Sequence, residues 1–403
     1  MDIQIRTIGE DEFEAFAQAV ESGFSNRYRP AEIARERSVS ELDRCHAAFD
    51  GNEIVGGASA ASFTMTIPGG TMPVVGVIGV GVRPTHRRRG INTALMRAEL
   101  DDMRERGEAV AALHASEGGI YGRYGYGRAT YLASVSMDAE RSGYVRGYEP
   151  RGRVRLLGRD EALPVMRAIY DRVWRTRPGM IELDETRFVW AIHDHHDDDP
   201  PWFAVHETDA GEPDAYAIYR VKDVWRADVP RLELRARELM ALTPQAYADM
   251  WRYLFDVDLV TTVRHHNRPV DEPLFLLLRE PRRLRLTLRD GLYVRLVDVP
   301  AALTARGYAT TGRVVFEVRE RFCPWNEGRF ALEAGPDGAV CEPTDSEPDL
   351  VCSVNDLGST FLGGFTFRQL ARAGQVRELT PGALEVADAM FASDPAPWCS
   401  VTF

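Results

Sequence analysis

Apolar residues recur along the first third of the chain in two alternating periods, one helical and one of two residues, and the switches between them predict its elements. Phe13, Phe16, Ala17, Val20 and Phe24 fall at helical spacing. Strand-like runs follow at 46–49 with 54–58 and at 62–67, and 74–82 is apolar and β-branched enough for a central strand. After a basic stretch, Ile91, Ala94, Leu95 and Ala98 repeat at helical intervals, Gly107 is placed to end that helix, and 110–113 reads as a buried strand. The resulting order is strand, arginine-rich loop, helix, strand.

Further along, RSGYVRGYEPRGR (141–153) concentrates Gly, Pro and charge and reads as a first linker. Residues 154–285 repeat the helix-then-strand style without a second RRRG-like element. A new segment begins near Arg289-Asp290-Gly291 and includes a helix opened by Pro300 and several strand-like runs. It also contains a final helix with Thr380 as N-cap, Pro381 at its first position, and Leu384, Ala387 and Phe391 on one face. The last residues, SDPAPWCSVTF, run extended past two prolines.

At 403 residues the chain calls for two or three domains. Its 44% hydrophobic and 27% charged residues suit a water-soluble globular protein, and no stretch reaches the roughly 18 apolar residues of a membrane span. MDIQIRTIGEDEFEAFAQAV lacks the basic and apolar regions of a secretory signal, so a cytoplasmic protein is expected. The cysteines, Cys45, Cys323, Cys341, Cys352 and Cys399, are scattered without CxxC spacing and indicate neither a disulfide framework nor zinc. Lys222 is the lone lysine. A formal net charge of -12 argues against a nucleic-acid partner and favours attraction of polycations.

Against that acidity, VGVRPTHRRRGINT (80–93) places three arginines where a strand becomes a helix. A helix N-terminus exposes unpaired N–H groups and the positive end of the macrodipole, so it attracts anions. Gly90 removes the Cβ that would hold a diphosphate off those amides, and Arg87, Arg88 and Arg89 add planar donors. Neither GxGxxG nor GK[ST] is present, so the junction is not a Rossmann or Walker loop.

Arg87-x-x-Gly90 resembles the [Q/R]xxGx[G/A] signature of the GNAT superfamily of acyl-CoA-dependent N-acyltransferases, with Asn92 in place of the final small residue. PTHRRRG (84–90), HASEGGIYGRYGYG (114–127), AYAIYR (215–220), DGLYVRLVDVPAALTARGY (290–308) and the terminal phenylalanine together resemble the Eis (enhanced intracellular survival) family over essentially the whole chain. The resemblance implies an α+β protein: tandem GNAT-type domains, catalytic at 1–147 and degenerate at 148–287, then a sterol-carrier-protein-like domain at 288–403 whose tail reaches the active site. It also implies a homohexamer, acetyl-CoA as cosubstrate and no metal. In GNAT folds the strand before the pyrophosphate loop splays from its neighbour and frees main-chain groups for the pantetheine arm. Here those belong to Val80, Gly81 and Val82. The amides of Arg88, Arg89, Gly90, Ile91, Asn92 and Thr93 would hold the phosphates, with Ser116 and Glu117 flanking the arm.

Acyl transfer from a thioester to an amine needs a neutral amine, a stabilised oxyanion and a proton for the departing thiolate. A phenol with pKa about 10 stays protonated and ready at neutral pH. Tyr121, Tyr124 and Tyr126 all qualify by composition. Tyr121 follows Ser116 by about one turn, the other two alternate with glycines as turn formers, and the family's general acid maps onto Tyr121. For the base, His114 and Glu117 lie nearby in sequence. The resemblance implies instead the terminal α-carboxylate, that of Phe403, and Trp398, Val401 and Phe403 make the tail apolar enough to be buried. A carboxylate with reference pKa about 3.5 would need desolvation or a relaying water to act as a base.

The expected acceptors are primary amines of cationic small molecules, aminoglycoside-like or polyamine, with protein lysines as secondary acceptors. Aminoglycoside-modifying relatives carry an acid before the terminal Phe and another in the segment matching Phe24-Ser25-Asn26. This chain has Thr402 and Asn26, leaving Glu21 or Asp43 to compensate. HDHHDDDPP (193–201) reads as a solvated acidic loop, His265-His266 as no metal site, and LGSTFLGGFTF (357–367) as helix-on-sheet packing in preference to a lipid cavity. The competing functional class is a non-catalytic acyl-CoA or lipid-binding module that keeps the fold.

Overall fold

The computed structural model describes residues 3–145, 147–193, 200–222, 225–226 and 229–403. It contains two compact units. The first comprises Met1–Thr130, Leu292–Ser393 and Thr402–Phe403, and the second Tyr131–Gly291 and Asp394–Val401. The acidic loop expected at 193–201 falls largely on 194–199, outside the described residues.

In the first unit a seven-stranded sheet runs in the order Ile3–Thr7, Cys45–Asp50, Glu53–Ile67, Gly70–Val82, Val110–His114, Leu292–Leu296, Gly127–Arg128. Alternation of side chains across the strands gives it two apolar faces. Ala47 and Phe49 pack with Phe13, Phe16 and Val20 of the helix Phe13–Ser22, whereas Ala48 packs with Ile91 and Leu95 of the helix Ile91–Glu105. The long antiparallel pairing of Glu53–Ile67 with Gly70–Val82 brings helix and sheet very close. A Cβ on Gly57 would lie 2.2 Å from the Phe16 ring, and one on Gly81 would lie 2.2 Å from the Val20 carbonyl oxygen.

Two expected helix ends differ from the structure. Phe24 is not on the first helix, because Gly23 caps it and Ser25 turns left-handed (φ 62°), leaving Phe24 47% exposed. The last helix is Ala383–Phe391, with left-handed Gly382 as N-cap and not Thr380. Glu378 Oε1 accepts the Gly382 and Leu384 amides at 3.1 and 3.0 Å, so a carboxylate from upstream supplies the cap.

The second unit has its own seven-stranded sheet, ordered Arg285–Asp290, Tyr131–Asp138, Val260–Arg268, Leu232–Ala241, Pro213–Lys222, Trp202–Glu207, Arg153–Leu157. Tyr131–Asp138, inside the span expected for the first domain, pairs here, and Leu292–Leu296, inside the span expected for the third, completes the first sheet. The stretch read as a linker is irregular but pinned: the buried Tyr144 donates its hydroxyl to Ala248 O at 3.0 Å.

A five-stranded sheet, Gly338–Pro343, Gly328–Gly335, Gly312–Arg319, Leu350–Ser353, Arg377–Glu378, forms the remainder of the first unit. Its core includes Phe316, Phe367 and Phe391, with ring centroids 5.0 Å apart for Phe367–Phe391 and 5.5 Å for Phe316–Phe367. The run at 357–367 joins the helices Val354–Thr360 and Phe367–Arg372 with Leu357, Phe361 and Leu362 fully buried. Three mixed or antiparallel sheets with helices packed against them make the chain an α+β protein, as expected.

Because the Val20 carbonyl cannot swing aside as a ring can, Gly81→Ala is expected to cost about 1–3 kcal/mol in urea unfolding, and Gly57→Ala, facing the Phe16 ring, distinctly less.

Candidate active site

The central parallel pair of the first sheet is short. Gly70–Val82 and Val110–His114 share only the partners Val75↔Ala111 and Gly76↔Ala112. On its other side Gly70–Val82 stays paired with Glu53–Ile67 to Val82, through a bulge at left-handed Gly79 (φ 56°) that places one extra residue between Ile78 and Gly81. A bulge bends its strand and sharpens the local twist. The two strands therefore part beyond Gly76, and Val77–Val82 have no ladder partner on the side of the parting. Val80 is half-buried at the edge of the cluster that contains Val75, Val77, Leu113 and Tyr121.

Past Val82 the chain makes a short 3-10 turn at Pro84–His86 and enters the helix Ile91–Glu105 through left-handed Arg88 (φ 62°) and Gly90 (φ 80°). Among the described residues no side chain caps this helix, and no acid lies in its first turn, so its electropositive end is left to whatever anion approaches. A Cβ on Gly90 would meet nothing within 4 Å, so the space in front of the helix is open. Of the three arginines, Arg87 donates to the Gly23 carbonyl and ties the loop to the first helix, while Arg88 and Arg89 are exposed. Asn92 Oδ1 is buried without a hydrogen-bond partner among the described residues.

Ser116 and Glu117 follow Val110–His114 and are exposed; the chain then turns into a 3-10 helix, Tyr121–Tyr124. Tyr121 is buried, with ring centroids 6.5 Å from Tyr124 and 6.0 Å from Tyr126, both edge-on. Burial pushes its phenol up to about 12, with a smaller contribution from Tyr124. Tyr124 lies 3.3 Å, oxygen to oxygen, from Thr93 in the first turn of the uncapped helix. Tyr126 is buried and its hydroxyl has no partner among the described residues.

The last residue closes the vertex of the parting. Phe403 is buried, its ring 5.0 Å from Phe63 and 5.2 Å, edge-on, from His114. A Cβ on Gly76 would come within 3.0 Å of the Phe403 ring. Gly76 is thus both the last ladder partner and the seat of the C-terminal ring. Asn26 Nδ2 donates to Glu21 Oε1 at 2.7 Å, whereas Asp43 is paired with Arg106 at 3.1 Å.

The second unit repeats this plan with its openings filled. Leu232–Ala241 runs parallel to Val260–Arg268 over five partners, Leu232 to Ala236, before they part. The buried Arg268 donates to Leu239 O at 2.9 Å there and pairs with Glu272 at 2.7 Å. The following helix, Pro244–Phe255, begins with a proline that lacks an N–H, and Thr243 Oγ1 accepts the Ala246 amide at 3.1 Å. Proline and Thr243 together leave fewer free amides at this end than the first unit's helix has.

Residues 4–129 match the model of the "Acetyltransferase (GNAT) domain", as do residues 179–296 to a second such model, and residues 299–400 match the "Sterol carrier protein domain". The chain is 35% identical to N-acetyltransferase Eis of Mycobacterium tuberculosis over 409 residues, covering 98% of each. It belongs to the Eis family of GNAT N-acetyltransferases. An uncharacterized N-acetyltransferase of Streptomyces avermitilis shares 41% identity over 410 residues, 99% of each chain. The crystal structure of Eis1 from Mycobacterium abscessus superposes with a TM-score of 0.86 at 32% identity, covering all of both chains. A GCN5-related N-acetyltransferase from Anabaena variabilis has the same fold, with a TM-score of 0.87 at 20% identity.

As a member of the Eis family the chain is an acyltransferase, and acetyl-CoA is the cosubstrate its fold implies. The parted strands, the open uncapped helix end and Gly90 suit a pantetheine arm ending in a pyrophosphate. Gly79 and Gly76 escape a sequence reading of this Eis-family site, although VIGVGV within an apolar strand is a bulge signal.

Phe403→Ala removes the ring between Phe63 and His114 and is expected to cost about 2 kcal/mol in urea unfolding, as burial of a phenyl group predicts.

Proposed function

We propose that the protein transfers an acetyl group from acetyl-CoA to primary amines of cationic small molecules, aminoglycoside-like or polyamine, with protein lysines as secondary acceptors. The observation that carries this reading is the parting of Gly70–Val82 from Val110–His114 beside an uncapped helix end, with a buried tyrosine and the chain terminus at the same place.

In this reading Val80, Gly81 and Val82 pair with the pantetheine arm, Ser116 and Glu117 flank it, and the amides of Arg88, Arg89, Gly90, Ile91, Asn92 and Thr93 hold the pyrophosphate. Tyr121 is the general acid: its raised pKa keeps it protonated throughout the neutral range, and it gives its proton to the departing thiolate. The Phe403 carboxylate is the base that takes the amine's proton, directly or through a water. The Phe63 and His114 rings pack against the Phe403 ring and fix the position of the terminus. Glu21, held on Asn26, places a negative charge beside that residue and compensates for its neutral side chain, favouring cationic acceptors.

In this reading the sequence divides into a catalytic domain at 1–147, a degenerate one at 148–287 and a sterol-carrier-like one at 288–403, although Tyr131–Asp138 lies in the second sheet and Leu292–Leu296 in the first. The family resemblance supports a homohexamer, and we place the protein in the cytoplasm. Among the described residues no helix is long and apolar enough to cross a membrane.

Thiol release from acetyl-CoA, measured with a panel of aminoglycosides, polyamines and lysine peptides, tests the reading. Turnover with polycationic amines is expected; coenzyme A binding without thiol release from any acceptor would move the assignment to the non-catalytic binder. Tyr121→Phe should lower kcat by about 100-fold or more while leaving coenzyme A affinity within a factor of about two. Because ionisation of Tyr121 begins near its raised pKa, no loss of kcat from this group is expected below about pH 11. Two glycines appended after Phe403 should abolish turnover and leave coenzyme A binding intact; full activity of that variant would exclude the terminal carboxylate.

A further inference from the structure

The turn that carries Tyr121 is short and glycine-rich and follows an exposed stretch, 116–119. Local hydrogen bonds run from Ile120 N to Glu117 O at 3.1 Å, Arg123 Nε to Ile120 O at 3.0 Å, Gly125 N to Gly122 O at 3.2 Å and Tyr126 N to Tyr121 O at 3.3 Å. Two side chains from the far end of the sequence add a constraint across the whole turn. Asn355, in the first turn of the helix Val354–Thr360, donates through Nδ2 to Gly122 O at 2.8 Å and to Tyr126 O at 2.9 Å. One amide nitrogen thus spans the turn from the residue after Tyr121 to the residue that closes it.

The helix bearing Asn355 cannot slide. Ser353 and Asp356 form a reciprocal capping box at its start, a Cβ on Gly358 would lie 2.3 Å from Val294 O, and one on Gly127 would lie 1.8 Å from Asn355 O. At the other end of the turn the fully buried Arg295 lies against left-handed Gly125 (φ 87°), where a Cβ would be 2.2 Å from Nη1. Arg295 is held by Glu320, whose other oxygen accepts the Phe322 amide at 2.7 Å, and the Phe322 ring lies 5.1 Å from Tyr124.

We infer that Asn355 is a positioning residue for the general acid: the sterol-carrier-like portion of the chain braces the Tyr121 turn and so sets the rate of acetyl transfer from outside the GNAT sequence. The inference rests on Tyr121 being the general acid. Proton transfer requires the donor within hydrogen-bond reach of the leaving sulfur, and a displacement of about 1 Å is enough to cost about 100-fold. Asn355 itself touches neither the acceptor amine nor the thioester in this arrangement.

A double-mutant cycle separates bracing from simple structural support. The full-length protein is assayed for kcat, acceptor KM and coenzyme A dissociation constant as wild type, Asn355→Ala, Tyr121→Phe and the double variant. Expected is a 10- to 100-fold loss of kcat in Asn355→Ala, with acceptor KM and coenzyme A affinity within about two-fold. In the Tyr121→Phe background the same substitution should change kcat by less than about two-fold. Equal losses in both backgrounds, or an unchanged kcat in Asn355→Ala, overturn the inference while leaving Tyr121 as the acid. A Tyr121→Phe enzyme with full kcat overturns the general-acid reading and this inference with it. Should Asn355→Ala fail to give a cooperative unfolding transition, Asn355→Asp replaces it in the same cycle. That variant keeps the shape, suits a helix first turn and sets a carboxylate against the two carbonyls, and the same two outcomes apply.

Discussion

Everything in the candidate site depends on one interruption of a hydrogen-bond ladder, the early separation of Gly70–Val82 from Val110–His114 after two shared partners. Unpaired main-chain groups inside a sheet are costly unless something satisfies them. Here the bulge at Gly79 and the seat at Gly76 keep the separation open: one turns the strand away, the other admits a ring where a side chain would stand. The same geometry sets the helix Ile91–Glu105 so that its uncapped end follows directly on the unpaired strand. Peptide-like and phosphate-like chemistry are therefore served in sequence along one path, as a pantetheine diphosphate presents them.

The second unit is an internal control for this argument. It has the strand, the helix and the following parallel strand, yet Pro244 lacks an amide, Thr243 takes that of Ala246, and Arg268 satisfies the Leu239 carbonyl where its strands part. Its backbone plan survives while the Leu239 carbonyl and the Ala246 amide are engaged within the protein. The buried Arg268 and Glu272 are a fixture of this filling, since each charge is desolvated and is stabilised by the other.

Much of the first sheet is legible in the sequence because its signals are local. The periodicity of Ile91, Leu95 and Ala98, the stop at left-handed Gly107 and the apolar run ending at Val82 all lie within a few residues of what they determine. The phosphate-type loop is legible for the same reason, although the exposed tripeptide does not reveal that Arg87 is tied to Gly23. The start of the last helix is not, since Glu378 caps it from outside its first turn. Nor is the partner of Val110–His114: nothing about LYVRL says that it will align Leu292 with His114 in the first sheet. The braces Asn355 and Arg295 are invisible for the same reason, their meaning arising only where distant segments meet.

That late strand bears on how the protein is made. Val110–His114 is apolar almost throughout, and its free edge stays uncovered while the ribosome adds every residue up to Leu292–Leu296. A nascent chain in this condition carries an adhesive edge for most of its synthesis and needs shielding from its neighbours on the polysome.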